Sequence, residues 1–206
     1  MYSPMCGRRK SEEARWTADL ILLTMPLTPA VANRTLLHTR IVEAKGYVRD
    51  DNLYDLEAHL FDVKTQDKVG PSGTTRAGEP IHDMWLRFSI TENLTLESVE
   101  ASFNAAPYAG HCDRIAPDYR VLVGLTIGPG FVTRARELLK ATHGCTHMTD
   151  LISVLATLAF QTFANRRARE AHATVRPFQL NRCHTLAETS DVVKKYYPRW
   201  FRSSEE

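Results

Sequence analysis

The sequence predicts an α+β fold: an antiparallel β-sheet in the N-terminal half, covered on one face by C-terminal helices. Three observations carry that expectation. Before Pro107 the apolar residues recur with a period of two, after it they recur at helical spacing, and the two regimes do not alternate along the chain. Strands first and helices afterwards argue for α+β. With 206 residues, 43% hydrophobic and 24% charged, the chain has material for one domain with a sizeable core.

The first residues are expected to lie outside that domain. Leu20 to Leu27 is the one long apolar run; it is too short to span a bilayer and is broken by Pro26 and Pro29. Arg8, Arg9 and Lys10 before it, and Ala30-Val31-Ala32 after it, give it some likeness to an export signal. Glu12, Glu13 and Asp19 argue against export, because such a signal is poor in acidic residues. Met25 offers an alternative start, which makes residues 1–24 an extension, residues 25–206 the single α+β domain, and Cys6 a bystander.

The first strands lie between Thr35 and Val63. Tyr54, Leu56, Ala58 and Leu60 alternate with Asp55, Glu57, His59 and Phe61, and Arg49-Asp50-Asp51-Asn52 supplies turn chemistry, so this stretch reads as a hairpin. Lys64 to Pro80, polar and containing Gly70, Pro71, Gly73 and Gly78, is expected to be an exposed loop. Ile81 to Ile90 alternates again, with His82, Met84, Leu86, Phe88 and Ile90 on one face and Asp83, Trp85, Arg87 and Ser89 on the other. Thr91-Glu92-Asn93 then turns into Leu94–Phe103, where Thr95, Glu97, Val99, Ala101 and Phe103 share a face opposite Leu94, Leu96 and Ser98.

After Pro107 the spacing predicts short helices over Asp118–Leu125 and Phe131–Ala141, separated by Gly128-Pro129-Gly130. A long helix follows from Thr146 to about Glu170. Met148, Leu151, Ile152, Leu155, Leu158, Ala159 and Phe163 form its stripe, and Arg166, Arg167 and Arg169 complement the negative end of its dipole.

Lys and Arg total 26 against 24 Asp and Glu, so no charge excess points to nucleic acid or to a membrane surface. Four cysteines are too few for a disulfide scaffold and suit free thiols or metal ligands in a reducing compartment, which makes the cytoplasm the expected location. There is no G-x-G-x-x-G, no phosphate-binding loop and no G-x-S-x-G elbow.

Chemistry concentrates instead on Cys and His at element ends. In Gly144-Cys145-Thr146-His147, Gly144 suits unusual backbone angles and Thr146 can cap the long helix. Cys145 then sits at the positive end of the dipole, where thiolate is favoured. His111-Cys112, His82-Asp83 and the weaker Cys183-His184 add further donors. Packed thiols beside surface histidines are the plainer alternative for each. Together, Cys112 and Cys145 with His82, Asp83 or His147 make a metal site suited to zinc or iron, with His147 or Asp83 as the group that moves a proton.

These motifs also carry a resemblance. Leu37-His38-Thr39-Arg40, Gly46 to Asp51, Asp55-Leu56-Glu57-Ala58, Gly78 to Met84, Pro107-Tyr108 before Cys112, and Gly144 to His147 resemble a bacterial family known only as a domain of unknown function. The likeness extends from about Met25 to the C-terminus, and Asn52 stands where glycine is expected. A remoter similarity is to iron–sulfur scaffold proteins of the NifU and SufU type, whose ligand order matches His82-Asp83, Cys112 and Cys145. That pattern has a cysteine near the position of His82, so this chain has two central thiolates where a cluster wants three.

The functions expected are therefore a mononuclear zinc or iron enzyme acting on a small organic molecule, a sulfur or iron–sulfur carrier working with a sulfur-transfer protein, or a binding module with a structural metal.

Overall fold

The computed structural model describes residues 27–170, 176, 177 and 179–203, with the backbone alone for 164–170. By its contacts the chain divides into two units, Met1–Leu36 and Leu37–Glu206. The described part of the first unit, residues 27–36, contains no helix or strand and is exposed throughout. The expectations for residues 1–24, Cys6, the start of the run at Leu20 and the side chains of Arg166, Arg167 and Arg169 lie outside the described residues.

The second unit opens with β1 (His38–Val48) and β2 (Tyr54–Lys64), continues through a small hairpin, β3 (Lys68–Gly70) and β4 (Gly73–Thr75), and returns in β5 (Pro80–Ile90) and β6 (Leu96–Ala105). The main sheet is antiparallel in the order β1-β2-β5-β6. Asn52, with φ 66°, takes the left-handed position in the first hairpin, a conformation asparagine tolerates. The alternation read from β2 and β5 is the alternation of burial: Leu56, Ala58, Leu60, Met84, Leu86, Phe88 and Ile90 all face the core.

Two expectations are corrected here. Lys64 to Pro80 is not a bare loop, because Lys68–Gly70 pairs with Gly73–Thr75 around Pro71-Ser72. In β6 the pairing shifts between Ser89 and Ile90, so that Ile90 meets Leu96 while Ser89 meets Ser98. The extra residue of this bulge brings Leu96 and Val99 to the same buried face, which strict alternation had put on opposite faces.

After Pro107 the first helical stretch is a 3₁₀ segment, Cys112–Leu122, containing Pro117, rather than a helix over Asp118–Leu125. Then come α1 (Phe131–Leu138), a short 3₁₀ turn at Ala141–His143, and α2 (Thr146–Glu170). Helix α2 packs across β1, β2 and β5 on one face of the sheet. Its stripe Met148, Leu151, Ile152, Leu155, Ala159 and Phe163 is buried there, and each of the larger side chains contributes about 1.5–3 kcal/mol by leaving water. A further helix, α3 (Asp191–Tyr196), is capped by the Ser190 hydroxyl, which accepts from the Val193 N–H at 3.1 Å. Among the described residues no helix is long and apolar enough to cross a membrane.

Candidate metal centre

The site begins with a charge in a core position. Asp62 continues the inward series Leu56, Ala58, Leu60 along β2 and is 0% exposed. A carboxylate there must be paired, or its burial costs several kcal/mol. Sheet register supplies the partners: Asp62 lies directly opposite Arg40 on β1 and His82 on β5.

Arg40 donates through Nε to Oδ1 at 2.8 Å and through Nη2 to Oδ2 at 2.7 Å, a bidentate fork. His82 Nδ1 is 2.8 Å from Oδ2, and His38 Nε2 is 3.2 Å from Oδ1. Burial by itself raises the Asp62 carboxyl, but the hydrogen bonds from Arg40, His82 and His38 outweigh it and hold the group well below the usual carboxylate range. Asp62 is therefore an anion at any ordinary pH.

His147 reaches this row from the first turn of α2. Its ring lies 3.9 Å, centroid to centroid, from that of His82, tilted by 35°. Burial lowers the pKa of both imidazoles; Asp62 opposes the shift at His82 without reversing it, and the neighbouring His82 and Arg40 reinforce it at His147. Both rings are thus biased toward the neutral form, which is the form that binds metals. Among the described residues, Asp62, His82 and His147 form a set whose ligand atoms all lie within 4.8 Å of one another.

The start of α2 is fixed by Tyr119 and Gly144. Thr149 donates to the Cys145 carbonyl at 2.8 Å, so Cys145, not Thr146, occupies the cap position. The buried Tyr119 hydroxyl accepts the Cys145 N–H at 3.0 Å and lies 3.1 Å from the Cys145 carbonyl oxygen. Gly144 is extended, with φ −158°, so unusual backbone angles are not why glycine stands there. A Cβ at that position would come within 2.5 Å of the Leu139 carbonyl oxygen, so it is close approach that requires glycine.

Of the residues expected from sequence, His82 and His147 come together. The Cys145 sulfur is 3.9 Å from His147 Nδ1, yet it stands outside the converging set. Cys112 begins the 3₁₀ segment, half-buried, and is not in that set either. Asp83 is turned away: alternation along β5 sends it to the face opposite α2, where it bonds His59 Nε2 at 2.8 Å and Trp85 stacks on the His59 ring at 4.0 Å. Cys183 is exposed. Sequence reasoning missed Asp62, Arg40 and His38. The signal for Asp62 was available, as a charged residue continuing the buried period of β2.

The family described as Protein of unknown function (DUF2889) matches residues 38–161, from the first residue of β1 into α2. This stretch includes Arg40, Asp62, His82 and His147, and it is shorter than the span expected from Met25 to the C-terminus. No curated protein and no solved structure matches the chain.

Proposed function

We propose that this chain, which belongs to the DUF2889 family of proteins of unknown function, is a mononuclear zinc or iron enzyme acting on a small organic molecule. The observation that carries the proposal is the convergence of Asp62, His82 and His147 from β2, β5 and α2. Two neutral imidazoles beside an ionised carboxylate suit zinc or ferrous iron better than magnesium or calcium, which prefer all-oxygen shells.

Asp62 already accepts from Arg40, His38 and His82, so its part is to orient His82 and raise its basicity, as outer-shell carboxylates do. His82 and His147 are the direct donors; the Cys145 sulfur, 3.9 Å from His147 Nδ1 but outside the set of mutually close ligand atoms, has to move toward His82 to serve as the third. Three protein donors leave a coordination position in which a bound metal would lower the pKa of water to about 7 or polarise a carbonyl. His38, with 38% of its side chain exposed, bonds Asp62 Oδ1 and helps fix the carboxylate behind His82.

Metal analysis of full-length protein purified without a histidine tag tests this. About one zinc or iron per chain is expected, the occupancy of a mononuclear site. His82→Ala, His147→Ala and Cys145→Ser should lose most of it, Cys6→Ser should lose none, and Asp62→Asn should weaken affinity about 10–100-fold. Unchanged metal content in both histidine variants would sink the proposal.

One observation favours a second reading, sulfur carriage: Cys145 lies at a helix head beside His147. There the Cys145 thiolate attacks the outer sulfur of a donor persulfide and the donor thiolate leaves. A persulfide on Cys145, seen by mass spectrometry in protein that binds no metal, would select this reading over the first.

A further inference from the structure

We propose that the free edge of β1 pairs with the same edge of a second copy of this chain, antiparallel about a two-fold axis at Ala44, and joins the two sheets into one. In the order β1-β2-β5-β6, β1 has a neighbour on one side only among the described residues. It is eleven residues long, exposed along most of its length, and contains no proline. Ile41, Val42, Tyr47 and Val48 stand on it with 43–74% of their surface in water. Natural edges are ordinarily short, bulged or guarded by charge, and a long unbulged one whose charges complement those of a second copy invites pairing.

The backbone says which residues a partner strand must meet. Arg49 N–H bonds the Leu53 carbonyl at 2.9 Å and Thr65 N–H bonds the Leu37 carbonyl at 3.3 Å, bonds that continue the β1–β2 register at its two ends. Hydrogen-bonded pairs alternate in an antiparallel ladder, so the odd-numbered residues of β1 exchange bonds with β2. The even-numbered ones, His38 to Val48, turn their N–H and C=O groups to the free edge.

Charge then selects the register. Centred on Ala44, the pairing sets Glu43 opposite Lys45 of the second copy and Ile41 opposite its Tyr47, each twice by symmetry, and opposite charges or apolar side chains facing across strands are favourable. Moving the centre to Glu43 or Lys45 puts two like charges face to face. Moving it further separates Glu43 from Lys45 and Ile41 from Tyr47. Within one chain Glu43 and Lys45 already touch at 3.1 Å on the face opposite α2, so the dimer would complete a ring of four alternating charges.

Sedimentation of the full-length protein tests this, and the expected species has twice the chain mass of 23.3 kDa. Glu43→Lys and Lys45→Glu should each weaken the dimer at least tenfold at low salt, because each creates like-charge pairs across the axis. The double variant E43K/K45E should restore it. The proposal is overturned by a monomer at every concentration, by a dimer indifferent to both single changes, or by a double variant that stays monomeric. A monomer whose even-numbered β1 amides resist hydrogen exchange would also overturn it, by giving the edge to another segment of the same chain.

Discussion

Tyr119 illustrates how one side chain sets the start of the helix that carries His147. Burial pushes its phenol up, so the group stays protonated and can both accept from the Cys145 N–H and donate to the Cys145 carbonyl or the Thr149 hydroxyl. Tyr119→Phe removes one oxygen and strands a partly buried N–H at the cap position. Leaving such a donor unsatisfied costs about 1–3 kcal/mol, which urea unfolding of the variant should report as a lower midpoint at unchanged slope. An unshifted midpoint would show that the hydroxyl is dispensable to the helix start. At this scale the sequence is legible where a residue breaks a pattern and silent where it obeys one. His82 could be assigned to the apolar side of β5 from alternation alone, and the same alternation already placed Asp83 opposite it. Asp62 could be seen only once its period was followed one step past Leu60. Arg40 and His38 left no mark, because their meaning comes from cross-strand register, which is a property of paired strands rather than of either one.

At the scale of elements, the contact between β1 and α2 depends on a missing side chain. A Cβ on Gly46 would lie 2.3 Å from Thr162 Oγ1 and 3.3 Å from Thr162 Cβ, so the strand and helix approach more closely than alanine permits. Thr162 cannot easily swing away, since its hydroxyl donates to the Leu158 carbonyl at 3.0 Å. Gly46→Ala should therefore destabilise by about 1–3 kcal/mol through overpacking. Thr162→Ala in the same chain should recover much of the loss, giving a coupling energy well outside additivity in a double-mutant cycle. Simple additivity of the two changes would mean that the helix and strand part without resistance. Period made these elements legible: β2, β5 and α2 were bounded closely from the recurrence of apolar residues. Where another constraint replaced period, the reading failed. The β6 bulge shifts pairing without altering composition, Pro117 leaves Cys112–Leu122 in a 3₁₀ conformation, and the β3–β4 hairpin is too short to show alternation.

At the scale of the whole molecule, the segment after α2 is held by a clasp whose strength depends on pH. Glu188 accepts from Arg176 Nε at 3.0 Å and Nη2 at 2.6 Å, Arg202 Nε lies 3.2 Å from its other oxygen, and its own N–H donates to the Asn181 side chain at 2.9 Å. The Arg176 hydrogen bonds, more than the opposing burial, lower the Glu188 pKa below its ordinary value. A carboxyl whose folded pKa is depressed stabilises the fold above its unfolded pKa and loses that contribution as pH falls through the folded value. The clasp is therefore at full strength at neutral pH and weakens only in acid, below about pH 4, where glutamate ordinarily titrates. Hydrogen exchange over residues 176–203 should show protection constant from pH 7 to 5, after correction for intrinsic exchange, and falling below that. Glu188→Gln should be less protected at pH 7 and should show no further loss in acid, because it has no proton to take up. The buried Leu180 and Val193 on the same segment set a floor beneath both proteins, since their apolar contacts do not titrate. If the variant and the parent open together as the pH falls, the acid sensitivity belongs to some other carboxylate and the clasp is not what holds this segment together.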